Sequence, residues 1–490
     1  ESQGTIAQMN ASKDNSCSGI IYLDGEEHEL DKMKGRGNAT WSQARQKRPY
    51  NITLGKKVSS ILGIEMPDKT KKFSLLANIA DRSLLRNKVG YDIAYEMGIG
   101  LDSVSVDLWM NGVYYGVYQF MAKNDAFNTD DGYTVENDNY KEPSIAEGGD
   151  PSFQLDGLTT ARPPAAAHEH NRITVKKIGE LGGKVVTISG PDGYIYDEDR
   201  ISVKAIGDNL LPNGETVEEL TRVAGEIQAW MQEMWDAVRS ADGYNDEGKY
   251  YTEYIDINSW AKMYLMQEFV KNYDANAGSL KFYREATGEN DKMYAGPLWD
   301  LDNALGSTQV NSLLGNQVDQ TDANGWFMNK LSEDKTSIYK TVGQHDDFME
   351  EVYRVYNQYK HLFDDASEQV EILAEEMADS AAMNFKRITR ENYNTVNYSR
   401  ETVKSAGTAY EQTYKQTSTW QDYVDNLVTF TTVRAKFLSD NLPNGIDSEP
   451  PVETGTLPEN LSVEPSETNN IPAAIDLYQA SASTGGWPGW

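Results

Sequence analysis

The sequence predicts an α+β fold, β-rich toward the N-terminus and mainly helical toward the C-terminus. Two observations predict it. Val104, Val106, Leu108 and Met110 alternate, Asn111-Gly112 supplies a type I′ turn, and Val113, Tyr115 and Val117 alternate back, the pattern of a β-hairpin. Beyond Gly306 apolar residues recur at helical spacing near 347–363, 367–387 and 418–440. At 490 residues the chain is too long for one small core, so two or three domains, or one large two-lobed unit, are expected.

The elements follow in order. Residues 19–25 read as a strand running into a turn, 35–38 as turn, and 49–54 and 73–77 as strands. Asp81 is expected to cap a helix through Leu84, Leu85, Val89, Ile93 and Met97, which Gly98 ends. Residues 141–172 read as loop. Thr216-Val-Glu-Glu219 predicts a capping box before a long helix with the apolar stripe Leu220, Val223, Ile227, Trp230, Met234 and Val238. A further helix from about Ser259 to Lys271 leads into Asp274. The globular part is expected to span 1–445, with 446–470 as a Pro/Glu/Ser/Thr-rich linker and 471–490 as a tail or the start of a further module.

Composition narrows the partners. Hydrophobic residues make up 39% of the chain, with 29 Tyr, 12 Phe and 10 Trp, enough for globular packing. A net charge of −31 repels nucleic acid and anionic membranes unless a local patch reverses the sign. Residues 32–88 form such a patch, with 14 Lys/Arg against 3 Asp/Glu. It reads either as a solvated basic face or as a site for a small polyanion such as a nucleotide. Cys17 is the single cysteine, so no intrachain disulfide forms. No apolar run is long enough to span a bilayer. The chain begins at Glu1 rather than Met, as expected of a processed or trimmed product whose signal segment is missing.

The chemistry concentrates in one stretch. Residues 281–285 and 292–295 flank a polar loop and predict a hairpin with Asp274 and Ser279 at its entrance and Asp300 and Asp302 at its exit. Paired strands lie about 5 Å apart, so Asp274 and Asp300 are expected to be neighbours. Carboxylates brought together repel, and a divalent cation is the natural compensation; Mg²⁺ takes one or two carboxylates plus phosphate oxygens and water. Phosphoryl-transfer enzymes use one carboxylate to orient a hydroxyl and another to hold the metal on the triphosphate. In protein kinases a catalytic Asp is followed five positions on by a metal-binding Asn; here that position is Ser279, a weaker ligand. Each Asp read singly is a turn former or helix cap. His168 and His170 have metal-ligand spacing but no third ligand nearby.

The ordered pieces resemble a known family. They are the segments 36–41 (Arg-Gly-Asn-Ala-Thr-Trp), 47–50, 75–78, 81–87, 111–118, 254–259, 267–272 and 296–302 (Gly-Pro-Leu-Trp-Asp-Leu-Asp). Together they resemble the CotH family of spore-coat protein H, atypical protein kinases with a protein-kinase-like fold, over roughly residues 30–440. The resemblance implies two lobes, a smaller β-rich N-lobe at about 1–140 and a mainly helical C-lobe at about 141–445, with ATP between them. It implies Asp274 as the catalytic carboxylate, Asp300 as principal metal ligand and Asp302 as a second acidic contact, with Mg²⁺ or Mn²⁺. Lys47 and Arg86, with Arg36 behind them, are the candidate phosphate cations. Thr40 keeps the Ser/Thr that the family carries in its Arg-Gly-Asn stretch, whereas Arg48 stands where Lys is common. The implied activity is transfer of the ATP γ-phosphate to protein Ser/Thr. The implied partners are ATP and a protein acceptor, with a monomeric chain and neither nucleic acid nor membrane insertion. The Pro/Glu-rich tail suggests an exported, cell-surface bacterial protein. The alternative is a surface or wall-associated binding module that keeps the fold without catalysis.

Overall fold

The computed structural model describes residues 4–37, 40–41, 47–79, 81–123, 127, 129–138, 152–155, 172–176, 185–189, 201–214, 216–272, 275, 278–289, 291–307, 321–328, 338–388, 419–443 and 473–478. The first strands are β1 (Ser16–Leu23), β2 (Glu26–Gly35), β3 (Tyr50–Ile61), β4 (Ile64–Leu76), β5 (Ser103–Met110) and β6 (Val113–Ala122). Then come β7 (Tyr133–Asp138), β8 (Ser152–Leu155), β9 (Arg172–Lys176), β10 (Val185–Ser189), β11 (Ile201–Ile206), β12 (Gly278–Arg284), β13 (Tyr294–Ala295) and β14 (Ala473–Tyr478). The fold is α+β.

Alternation builds a closed barrel in the order β1-β14-β5-β6-β4-β3-β2. All its neighbours are antiparallel except β14 and β5, which run parallel. Ile21, Leu30, Ile52, Phe73, Leu75, Val106, Leu108 and Phe120 are buried on its strands. Its β5–β6 turn has φ of 50° at Asn111 and 74° at Gly112, the double positive φ of a type I′ turn. A helix, α1 (Ile6–Ala11), lies on the barrel, held by a Thr5–Gln8 capping box and burying Ile6 and Met9. Residues 473–478, expected as tail, supply β14 and close the barrel between β1 and β5.

The remaining strands form a second antiparallel sheet, β10-β9-β8-β11-β7-β12-β13. Strand β8 lies inside the segment expected to be loop. The expected hairpin is present: Phe282 pairs with Ala295 and Tyr283 with Tyr294. The other side of β12 pairs with β7, so this sheet joins strands from both sides of residue 140.

The helices are α2 (Arg86–Glu96), α3 (Val217–Arg239), α4 (Ile257–Val270), α5 (Ile338–Val342), α6 (Asp346–Asp364), α7 (Ala366–Arg387) and α8 (Trp420–Asn441). Helix α2 starts later than expected. Its N-cap is Leu85, and Asp81 instead accepts hydrogen bonds from the backbone amides of Ser83 and Arg86. At α3 the Thr216 hydroxyl caps Glu219 N–H, but the Glu219 carboxylate turns to Arg222 and Asn213 rather than back to Thr216. Helix α7 docks on β6 through Asn384, which accepts from Val117 N–H, and Arg387, which donates to Tyr115 O. A buried ion pair, Glu268–Arg434 at 2.9 Å, ties α4 to α8. Glu268 also accepts from the amides of Phe327 and Met328, so every charge in that pair is hydrogen-bonded. Among the described residues no helix is long and apolar enough to cross a membrane.

Candidate active site

Strand β4 leaves the barrel at Leu76 and turns at Asn78, whose φ is +46°. The following turn is fixed by Asp81. One carboxylate oxygen accepts from Ser83 N–H, Ser83 Oγ and the Arg86 guanidinium (2.5 Å), the other from Arg86 N–H. Arg86 is 2% exposed and also donates to Leu305 O. Helix α2 then presents Asn87 and Tyr91, one turn apart, toward residues 300–302.

Those residues belong to a turn held from several sides. Gly296 N–H bonds Lys281 O, Leu298 N–H bonds Ile99 O, and Leu305 N–H bonds Val270 O. Asp300 sits in the left-handed region at φ +59°. Its N–H donates to Tyr91 Oη (3.2 Å) and its carbonyl accepts from Asn272 Nδ2 (3.1 Å). Asn87 grips the next two residues. Its Oδ1 accepts from Leu301 N–H at 3.0 Å, and its Nδ2 donates to Asp302 Oδ1 at 2.5 Å and to Asn78 Oδ1 at 2.9 Å. Strained backbone held by this many bonds is the form that a pre-positioned functional group takes.

A narrow cleft opens over this turn. Arg36, Asn78, Tyr91, Trp299, Asp300 and Asp302 line its polar side; Pro49, Leu76, Ala77 and Ile79 line its apolar wall. The Arg36 guanidinium lies 5.3 Å from the centre of the Trp299 ring. It makes no ion pair within 4.0 Å among the described residues, although its charge reaches Asp300 and Asp302.

The electrostatics are those of a site short of positive charge. Burial raises the pKa of Asp300; Arg36 and Lys281 oppose the rise and Glu136 adds to it. Asp302 is pushed up to about 7, first by burial and then by the charge of Asp300, against the Asn87 hydrogen bond and Arg36. Two carboxylates that resist joint ionisation, with a guanidinium across from them, fit a divalent cation carrying an anion. Among the described residues no three His, Cys, Asp or Glu side chains converge as a closed metal cage. Two carboxylates completed by phosphate oxygens and water would be a donor set for Mg²⁺ or Mn²⁺ rather than Zn²⁺.

The candidate residues separate by position. Asp300 and Asp302 are together in the cleft, and Arg36 lines it. Arg86 is committed to Asp81 behind the cleft. Lys47 is fully buried at the barrel, 5.4 Å from the Tyr118 ring centre, and its Nζ has no hydrogen-bond partner among the described residues. Burial and Arg387 lower its pKa to about 7, while Asp81, Asp107 and Asp302 oppose this. Ser279, the second residue of β12, has φ +70° and does not line the cleft. Asp274 lies outside the described residues, as do His168 and His170. Asn87, Tyr91, Trp299, Lys281 and Glu136 were assigned no role from the sequence. Asn87 and Tyr91 left a faint signal: polar groups four apart on one face of a helix whose Val89 and Ile93 lie on the opposite side.

Compared with models of protein families, residues 33–438 match the family described as CotH kinase protein. The match covers most of the chain, and the chain belongs to this family. No curated protein matches it.

Proposed function

We propose that this chain is a metal-dependent protein kinase that binds ATP in the Asp300–Asp302 cleft and transfers the γ-phosphoryl group to Ser or Thr of a protein. The observation that carries the reading is the juxtaposition of two buried carboxylates, the Arg36 guanidinium and an apolar wall in one cleft. Membership of the kinase family supports it. In this reading the barrel and the helical part are the two lobes of a kinase-like arrangement.

Mg²⁺ or Mn²⁺, when bound, neutralises charge on the phosphate oxygens. Asp300 and Asp302 hold it, with Asp300 aimed by its left-handed backbone. Arg36 meets the phosphates from the barrel side, and Lys47 adds positive potential from behind. Leu76, Ala77, Ile79 and Pro49 offer an apolar face for the base. Asp274 is assigned the acceptor hydroxyl: it accepts the proton as the hydroxyl oxygen bonds to Pγ and the bond from Pγ to the bridging oxygen breaks.

Thermal shift with Mg·ATP and Mn·ATP tests the reading. A ligand that binds only the folded chain adds about 2.7 kcal/mol at 100 times its Kd. Stabilisation is expected in the parent and is weakened in Asp300→Ala. Asp274→Ala is expected to keep nucleotide binding and lose transfer of labelled phosphate to a generic Ser/Thr substrate. A flat response to every metal and nucleotide combination would overturn the reading and favour a binding module.

A further inference from the structure

Trp299 couples the two sheets at the cleft. Its indole is 6% exposed and is approached by two cations from different parts of the fold. Arg36, at the end of β2, lies 5.3 Å from the ring centre, and Lys281, on β12, lies 5.8 Å from it. Lys281 is itself 6% exposed and is fixed by strand register. It is the cross-strand partner of Glu136 on β7, and the two side chains form an ion pair at 3.0 Å. Its carbonyl accepts from Gly296 N–H at 2.8 Å, at the start of the turn that carries Trp299 and Asp300. Both cations and Glu136 act electrostatically on Asp300.

An ammonium held against an indole restrains that ring, and the ring in turn is the surface on which Arg36 rests. The Arg36 guanidinium has no ion pair of its own among the described residues, so the ring is its main restraint. We propose that Lys281, paired with Glu136, is a positioning residue for the phosphate end of the ligand: it fixes Trp299, and Trp299 presents Arg36 across the cleft from Asp300. The assignment rests on the phosphate-binding reading above. It adds a second-sheet residue to the site and makes nucleotide affinity depend on the β7–β12 register.

The test uses the full chain and four variants, Lys281→Met, Lys281→Arg, Glu136→Gln and Trp299→Phe. Two readouts are taken: Mn·ATP affinity by calorimetry, and the rate at which phenylglyoxal modifies Arg36, followed by peptide mass spectrometry without nucleotide. A cation–π restraint corresponds to a factor of about 3 to 30. Lys281→Met is expected to weaken Mn·ATP roughly tenfold and to speed Arg36 modification; free Mn²⁺ affinity, measured alongside, reports the separate loss of the Lys281 charge near Asp300. Lys281→Arg keeps the cation and is expected to stay near the parent; Trp299→Phe, with a smaller and weaker ring, and Glu136→Gln fall between. Unchanged Arg36 reactivity in a folded Lys281→Met chain would overturn the proposal, as would Lys281→Arg failing as badly as Lys281→Met. If the parent binds no Mn·ATP while Arg36 reactivity still follows the series, the nucleotide reading fails and the coupling through Trp299 stands.

Discussion

Asn87 donates to the Asp302 carboxylate at 2.5 Å while its own carbonyl oxygen accepts from the Leu301 N–H at 3.0 Å. One amide thus fixes both the side chain and the backbone of the acidic turn. Asn87→Ala is expected to leave Leu301 N–H and Asn78 Oδ1 without their partner, at about 1–3 kcal/mol. Metal-dependent activity is expected to fall about 10–100-fold, the usual effect of losing a group that orients a ligand. Melting temperature and a phosphotransfer assay check the two halves. Full activity in Asn87→Ala would show that Asp302 needs no such support.

Gly90 is the second support of the same turn. A Cβ on this helical residue would lie 2.1 Å from Leu301 Cδ1, and Leu301 is fully buried between the two acidic residues. Gly90→Ala forces α2 and the turn apart. The expected cost is about 1–3 kcal/mol of overpacking, with weaker Mn²⁺ binding. Leu301→Ala in the same chain makes room and is expected to recover part of the metal affinity. Denaturant unfolding and Mn²⁺ titration of both chains measure the two effects; an additive double variant contradicts the expectation.

Local signals made much of the fold legible. Asn111-Gly112 specifies its hairpin because both residues tolerate positive φ, and α6, α7 and α8 follow apolar stripes that need no distant partner. The Asp300–Asp302 pair was legible because its members stand two positions apart on one turn, whereas Asp274, which the hairpin argument places beside Asp300, lies outside the described residues. Long-range pairing was not. The Glu136–Lys281 pair depends on a strand register between segments 145 positions apart, which no local pattern encodes. The same holds for β14, whose six residues become a barrel strand only beside β1 and β5. Asp81 was legible as a capping residue, yet its oxygens go to a turn and to Arg86. A cap and an ion-pair acceptor have the same sequence signature, so Arg86 read as a free cation when it is a buried one.

Asp302 sets a pH dependence. Its folded value near 7 lies above the ordinary carboxylate value of 3.8. Between the two, the folded chain holds a proton that the unfolded chain has lost. This residue therefore lowers the stability of the ligand-free chain as pH rises from about 4 to about 7. Asp302→Asn is expected to remove that part of the slope, read as the difference between the two melting curves. Metal needs the ionised form, so Mn·ATP affinity in the parent is expected to fall below pH 7, by up to about tenfold per unit for one proton. Calorimetry at several pH values checks it; equal affinity at pH 5.5 and 7.5 would remove Asp302 from the metal.

Lys47 gives the opposite sign. Its ammonium is buried without a hydrogen-bond partner among the described residues, packed beside Gly116, whose φ of +113° and missing Cβ leave room for the lysine stem. A Cβ at Gly116 would come within 3.0 Å of Lys47 Cε. The folded value near 7 lies below the ordinary 10.5, so between them the folded chain holds fewer protons than the unfolded one. Stability contributed through this residue therefore rises with pH across that window. Lys47→Met replaces the amine with an apolar group of similar length. It is expected to stabilise the chain at pH 7 by about 1–3 kcal/mol, the cost of an unsatisfied buried polar group. The gain is largest at and below pH 7 and shrinks toward pH 10. The same variant is expected to bind Mn·ATP more weakly, because positive potential behind the cleft is lost. A stability gain coupled to lost affinity is the mark of a group kept for function rather than for folding. A stability gap that stays constant from pH 6 to pH 10 would show that the amine is not what the substitution relieves.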